Sequence, residues 1–160
     1  MCQQSLSSKL RKKELGKWRL LLAVFIVAYT LLLLLDLTHT PLQWDEANNL
    51  IGGLLLRRGY FERYLETNMF YPPLADLAIA GYFTVTGVSV FSGRLLGVTF
   101  ASLSVWVTFE LANKLYGAKT ALIASIILGT MPGFVWLARL TMLETMLVFF
   151  FSTTMLLFLM

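Results

Sequence analysis

The sequence predicts an all-α, polytopic membrane protein, and three observations predict it. Of 160 residues, 58% are hydrophobic and only 14% are charged, well below the roughly 25% charge of soluble domains. The run WRLLLAVFIVAYTLLLLLDL, residues 18–37, has the length and composition of a membrane-crossing helix, which needs about 20 mostly apolar residues. Further apolar runs follow at about 73–91, 94–113 and 118–136, and a last one starts at 146.

Residues 1–17 form a basic tail, and Lys9, Arg11, Lys12, Lys13, Lys17 and Arg19 lie before or just inside the first span. Positive residues stay on the cytoplasmic side, so the tail is cytoplasmic and the chain after residue 37 is extracytoplasmic. A signal peptide competes for the same pattern. However, the apolar run is longer than a usual signal core, and no small-residue cleavage pattern appears in THTPLQWDE, so an uncleaved span is the reading taken. Cys2 is the only cysteine, which excludes an internal disulfide and a thiolate metal cluster. The charge of +4 is local to this flank and gives no reason to invoke nucleic acid.

Residues 38–93 form the first extracytoplasmic loop, with amphipathic helices at about 45–58 and 73–91. In the first helix, Ala47, Leu50, Ile51, Leu54 and Leu55 share one face at helical spacing. Asp45 suits its N-cap and Gly59 its end. Trp44 reads as an interface anchor, and Arg57 and Arg58 face anionic headgroups. The adjacent carboxylates Asp45 and Glu46 have two readings, a capped and solvated helix start or a site that holds negative charge beside the membrane. The segment 73–91 contains Asp76, two glycines and TVTG. These make it a poor span, and it is read as lying along the outer face.

That choice fixes parity. Two transmembrane helices then occupy 94–136, joined by a short cytoplasmic turn around Gly117 and flanked by Lys114 and Lys119. Residues 137–145 form a second extracytoplasmic loop on the same side as Asp45. Residues 146–160, MLVFFFSTTMLLFLM, start a further transmembrane helix that is still apolar where the sequence stops. This reads as a fragment of a longer protein.

The ordered series WDE, RRG, YPPL, GRLLG, KLYG and ARLTMLE resembles the N-terminal part of polytopic glycosyltransferases of the GT-C fold. The closest groups are the protein O-mannosyltransferases and aminoarabinose-transferase-like enzymes. The resemblance implies a GT-C-like transmembrane module with juxtamembrane helices in its first outer loop. It also implies transfer of a sugar from a polyprenyl-phosphate donor to an extracytoplasmic acceptor hydroxyl on protein, lipid or glycan, with inversion, in the plasma membrane. The acidic position after the family's first span falls on Asp45, with Glu46 beside it. The family's residue before Pro-Pro, commonly Lys or His, is Tyr71 here, and the glutamate of some relatives corresponds loosely to Glu66. The family's arginine at the next helix falls on Arg94. Arg139 and Glu144 match an Arg and Asp in the following outer loop, with Glu in place of Asp.

The chemistry gives each assignment its own reason. A carboxylate can take the acceptor proton as the sugar carbon becomes cation-like; Asp45 is the candidate base, with Glu46 and Glu144 as further catalytic candidates. Guanidinium groups match phosphate oxygens, so Arg94 and Arg139 are phosphate candidates, unless each only snorkels to the interface. Tyr71 and Glu66 complete the substrate-binding candidates. Asp45, Glu46 and Glu144 could hold Mg²⁺ or Mn²⁺ with help from substrate phosphate, whereas the lone His39 reads as interfacial. The expected partners are the polyprenyl-phosphate sugar, the acceptor and membrane lipids. A multispan transporter or channel, or a noncatalytic scaffold, is the alternative. A transporter needs paired polar groups within its helices, and only Glu110 offers itself.

Overall fold

A computed structural model describes residues 2–68 and 72–160 of the chain. All regular structure among the described residues is helical, in the order α1 (Cys2–Leu34), α2 (Trp44–Arg57), α3 (Phe61–Asn68), α4 (Pro73–Thr86), α5 (Val90–Tyr116), α6 (Ala118–Thr130), α7 (Pro132–Ala138) and α8 (Leu143–Phe158). The stretch Glu14–Leu34 of α1 and the whole of α5 are long and apolar enough to cross a membrane. The pair α6 and α7 passes the same test together but is bent by 65°. The break falls at Met131 and Pro132, where a proline starts the second helix and cannot donate to the first. This integral membrane architecture therefore differs from the sequence expectation at 118–136, where one straight helix was read.

Helix α5 is the hub. Its 27 residues measure about 40 Å at 1.5 Å per residue, enough to cross about 30 Å of hydrocarbon. It packs against α1, α4, α6, α7 and α8. Leu22, Tyr29 and Leu33 of α1 meet Val98, Ala101, Val105 and Phe109 of α5, together with Ala121 and Phe134. On the opposite side of α1, Leu20, Leu21, Val24, Val27, Leu31 and Leu32 are exposed, as a lipid-facing helix requires when lipid and leucine are equally apolar.

Two polar ties orient α1 and α5. At one end Arg19 Nη2 donates to both Glu110 carboxylate oxygens at 3.0 Å. At the other, Arg94 Nη1 donates to Leu37 O at 2.7 Å. The two helices are therefore antiparallel, and the chain between Leu37 and Arg94 leaves and returns at one end. Helix α4 explains how, because its 14 residues reach only about 21 Å, too short for a crossing. Gly87 ends it at φ 84°, a conformation that costs a side-chain-bearing residue more than glycine.

Helices α2, α3 and α4 form a cap at that end. Ala75, Ile79 and Phe83 of α4 pack with Leu96 of α5, Met146 of α8 and the partly buried Leu50 and Leu54 of α2. Helix α2 ends as its sequence indicated: Tyr60 N–H bonds Leu55 O at 3.0 Å and Gly59 N–H bonds Leu56 O at 3.1 Å, with Gly59 at φ 77°. These are the paired bonds of a Schellman motif. The N-terminus differs from expectation, since Gln43 is the N-cap, without a side-chain cap bond, and Asp45 lies inside the first turn. Other helix ends also shift: α1 runs from Cys2 and not from residue 18, and α8 begins at Leu143. Helix α5 starts at Val90, with Ser89 Oγ accepting from Ser92 N–H at 3.1 Å, so Arg94 sits in its second turn.

Candidate active site

Glu46, Arg94 and Thr141 join three segments distant in sequence. Glu46 Oε1 accepts from Arg94 Nε at 2.8 Å, and Glu46 Oε2 from Arg94 Nη2 at 2.7 Å. This is the two-pronged geometry in which guanidinium and carboxylate are best matched. Thr141 adds its backbone N–H at 3.0 Å and its hydroxyl at 3.2 Å, both to Glu46 Oε1. Both charged side chains are 0% exposed. Burial by itself would raise the Glu46 carboxyl; the Arg94 guanidinium and the Thr141 amide outweigh it and hold the group below the usual glutamate range. Arg94 spends its remaining reach on Leu37 O and, at 3.5 Å, on Pro41 O.

This packing depends on glycine. A Cβ on Gly97 would collide with the carbonyl oxygen of Leu140, and one on Gly93 with Leu50 and Thr141. The G-x-x-x-G face of α5 thus admits backbone where a side chain would otherwise stand, as small residues do at close helix contacts. It lets the 139–143 loop reach Glu46, and Asn49 Nδ2 completes the seam by donating to Thr141 O at 2.9 Å.

Beside this seam lies a cleft of about 280 Å³ lined by Asp45, Asn49, Met142, Leu143, Glu144 and Leu147. Asp45 comes from the first turn of α2 and Glu144 from the first turn of α8. Both side chains are exposed to solvent, and neither makes a salt bridge among the described residues. The chain thus brings two free carboxylates to one hollow while a third, Glu46, is sealed behind them.

The other expected site residues divide. Neither Arg94 nor Glu46 lines this cleft; Arg94, buried and engaged by oxygen acceptors, presents no free fork to a phosphate, and the phosphate role read for it does not fit this geometry. Glu46 likewise has no free face for catalysis or for a metal. Arg139 Nη2 donates to Leu35 O at 2.6 Å and to Asp36 O at 3.0 Å, closing the C-terminal end of α1, where a cation is favoured. Asp36 takes the left-handed conformation there, φ 55°. Glu66 is exposed in a separate hollow with Arg58, Tyr60, Phe61 and Arg63, and the structure does not join it to Asp45. Tyr71 lies outside the described residues. Glu110 is held by Arg19, which removes it as an unpaired intramembrane group.

A resident Mg²⁺ or Mn²⁺ finds a poor set of ligands here. With Glu46 committed to Arg94 and Thr141, only Asp45 and Glu144 remain of the three carboxylates considered. No group of three or more His, Cys, Asp or Glu able to hold a metal occurs among the described residues.

Sequence reasoning assigned no role at the site to Asn49 or Thr141, and read Asp76 only as a mark against a membrane span. Asp76 Oδ2 accepts from Tyr64 Oη at 3.0 Å and from Asn68 Nδ2 at 3.1 Å, locking α3 to α4. Burial pushes the Asp76 carboxyl up against the pull of those donors, and burial followed by the Asp76 bond pushes Tyr64 up to about 12. The i, i+4 glycines 93 and 97, and Asn49 one turn after Asp45, were the legible signals for the seam.

An all-α membrane module with two free carboxylates in a cleft at one end is an arrangement able to perform group transfer. The family described as dolichyl-phosphate-mannose-protein mannosyltransferase matches residues 71–160. That is more than half of the chain, so the chain belongs to this family of membrane glycosyltransferases. The match covers Arg94, Arg139, Thr141 and Glu144 but begins after Asp45, Glu46 and Asn49. No curated protein and no solved structure matches the chain.

Proposed function

We propose that this protein transfers a sugar, mannose in the first instance, from a polyprenyl-phosphate carrier to a hydroxyl acceptor on the extracytoplasmic face, with inversion. The observation that carries the reading is the cleft shared by Asp45 and Glu144, which lies at the end of the α1/α5 pair remote from the basic flank. The paired contacts Arg19 with Glu110 and Leu37 with Arg94 support this sidedness, because the positive flank sits at the Arg19 end.

Asp45 is the base. Its carboxylate takes the proton of the acceptor hydroxyl as that oxygen bonds to the sugar anomeric carbon, and the carbon–oxygen bond to phosphate breaks to release the polyprenyl phosphate. Glu144 faces it across the cleft and positions the acceptor. Arg139, half-buried at the same end, keeps Nη1 beyond the Nη2 that caps α1 and meets the lipid phosphate with it, a pairing that favours the leaving group. Glu46 and Arg94 are positioning residues that hold Asp45 and the 139–143 loop in place. The acceptor class, whether protein, lipid or glycan, is set by the rest of the cleft.

The test is transfer of labelled mannose from polyprenyl-phosphate mannose by the full chain in lipid nanodiscs. Asp45→Asn lowers kcat by about 10²–10⁴-fold, the usual contribution of a positioned base. A variant with undiminished transfer would remove Asp45 from the mechanism.

A further inference from the structure

We propose that Asn49 is a substrate-binding residue whose side-chain carbonyl oxygen accepts a hydrogen bond from a hydroxyl of the donor sugar in the Asp45/Glu144 cleft. The proposal rests on the transferase reading above.

Asn49 is only 7% exposed yet lines that cleft. Its Nδ2 donates to the backbone oxygen of Thr141 at 2.9 Å. A carbonyl oxygen only accepts, so this bond determines which end of the amide faces the loop. The nitrogen turns to Thr141 and Oδ1 turns away from it. No described residue donates to Oδ1. Nor is Oδ1 one of the sealed polar atoms without a partner, which are Tyr29 Oη, Arg139 Nε and Thr153 Oγ1. Asn49 lines the cleft, and with Nδ2 given to Thr141 the side-chain oxygen is the acceptor it has to offer a ligand there.

An amide clamped at one end, with its acceptor left unfilled in a hollow, suits a hydroxyl reader, since ligand sites fix orientation with a few well-held polar groups. Thr141 is itself held, by two bonds to Glu46, so Oδ1 is tied to the buried ion pair and not to a mobile loop. Asp45 and Asn49 are four residues apart in α2, which places their Cβ atoms about 5–6 Å apart on one face, close to the breadth of one pyranose ring. With Asp45 at the reacting carbon, Asn49 meets a hydroxyl farther round the same ring. Leu143 and Leu147 on the opposite wall offer an apolar surface for the ring's carbon–hydrogen face.

The experiment measures kcat/KM of the full chain in nanodiscs with polyprenyl-phosphate mannose and with the set of monodeoxymannosyl donors, for the wild-type protein and for Asn49→Ala. The wild-type protein loses about 3- to 10-fold with one particular deoxy donor, the usual worth of one neutral hydrogen bond. Asn49→Ala loses a similar factor with the mannosyl donor and nothing further with that deoxy donor, so the two losses do not add. A purely structural Asn49 would give one uniform loss across all donors, and that result overturns the proposal. So does a wild-type protein indifferent to every deoxy donor, a comparison that requires no substitution and no assumption about folding. A full-length wild-type protein that transfers none of these sugars overturns the transferase reading itself, and the assignment of Asn49 with it.

Discussion

The buried Glu46–Arg94 pair makes the sharpest prediction about what holds the site together. Glu46→Gln keeps the shape of the side chain but removes the charge that neutralises Arg94, which is 0% exposed. Breaking a buried pair by removing one partner costs about 3–5 kcal/mol, because the other charge is stranded. A Gln oxygen at the Oε1 position still accepts from Arg94 Nε and Thr141, while its amide nitrogen at the Oε2 position meets Arg94 Nη2 donor to donor, so the lower part of that range is appropriate. Removing both charges in Glu46→Leu/Arg94→Met strands none. It still leaves Leu37 O, Pro41 O and Thr141 N–H without their partners, each worth about 1 kcal/mol, so the double variant recovers part of the loss and not all of it. Unfolding free energies of the wild type, Glu46→Leu, Arg94→Met and the double variant in mixed micelles give the coupling directly. Single variants each losing under about 1 kcal/mol, with losses that simply add, would refute the claim that this pair organises the end of the bundle.

Three further outcomes follow from the same geometry. Gly97→Leu drives a side chain into the Leu140 carbonyl and lowers stability by about 1–3 kcal/mol; because it displaces the 139–143 loop, kcat also falls, and a variant of wild-type stability and rate would contradict the close approach. The Glu46 carboxyl is held below its ordinary value of 4.5, so its stabilising contribution is present above that pH and is lost as pH falls through the lower folded-state value. Wild-type stability then drops more steeply below pH 4.5 than that of Glu46→Gln, as acid titrations of unfolding will show. Asp76 has the opposite sign, because its folded-state value is raised and it stabilises only at pH low enough to protonate it. Asp76→Asn keeps an acceptor for Tyr64 and Asn68 and removes the buried charge. It unfolds at a higher temperature than wild type at neutral pH, and the gap narrows on acidification.

The parts of this fold that composition and punctuation control were legible in advance. The first span, the Gly59 stop and the helix start at Pro73 were readable because leucine runs, a left-handed glycine and a Pro-Pro start act locally; the end of that helix at Thr86, five residues before the expected 91, was not. The 65° bend at Pro132 was missed because the apolar run continues across it without a change of composition. Arg94 shows where single-sequence chemistry stops. A guanidinium at a helix start reads equally well as a phosphate ligand or as an ion-pair partner, and only the approach of Glu46 from 48 residues away decides the matter. The partnership of Asn49 with Thr141 was hidden for a related reason. Their importance comes from one amide and one backbone carbonyl meeting across 92 residues, a contact that no periodicity encodes.

The proposed reaction needs Asp45 and Glu144 in one compartment, opposite the basic flank. Single cysteines at position 45, 144 or 119, placed in a Cys2→Ser background, can be probed in intact cells with a membrane-impermeant maleimide added outside. Asp45→Cys and Glu144→Cys are both expected to be modified at once, while Lys119→Cys reacts only after permeabilisation. A Glu144→Cys protein that requires permeabilisation while Asp45→Cys does not would contradict this arrangement.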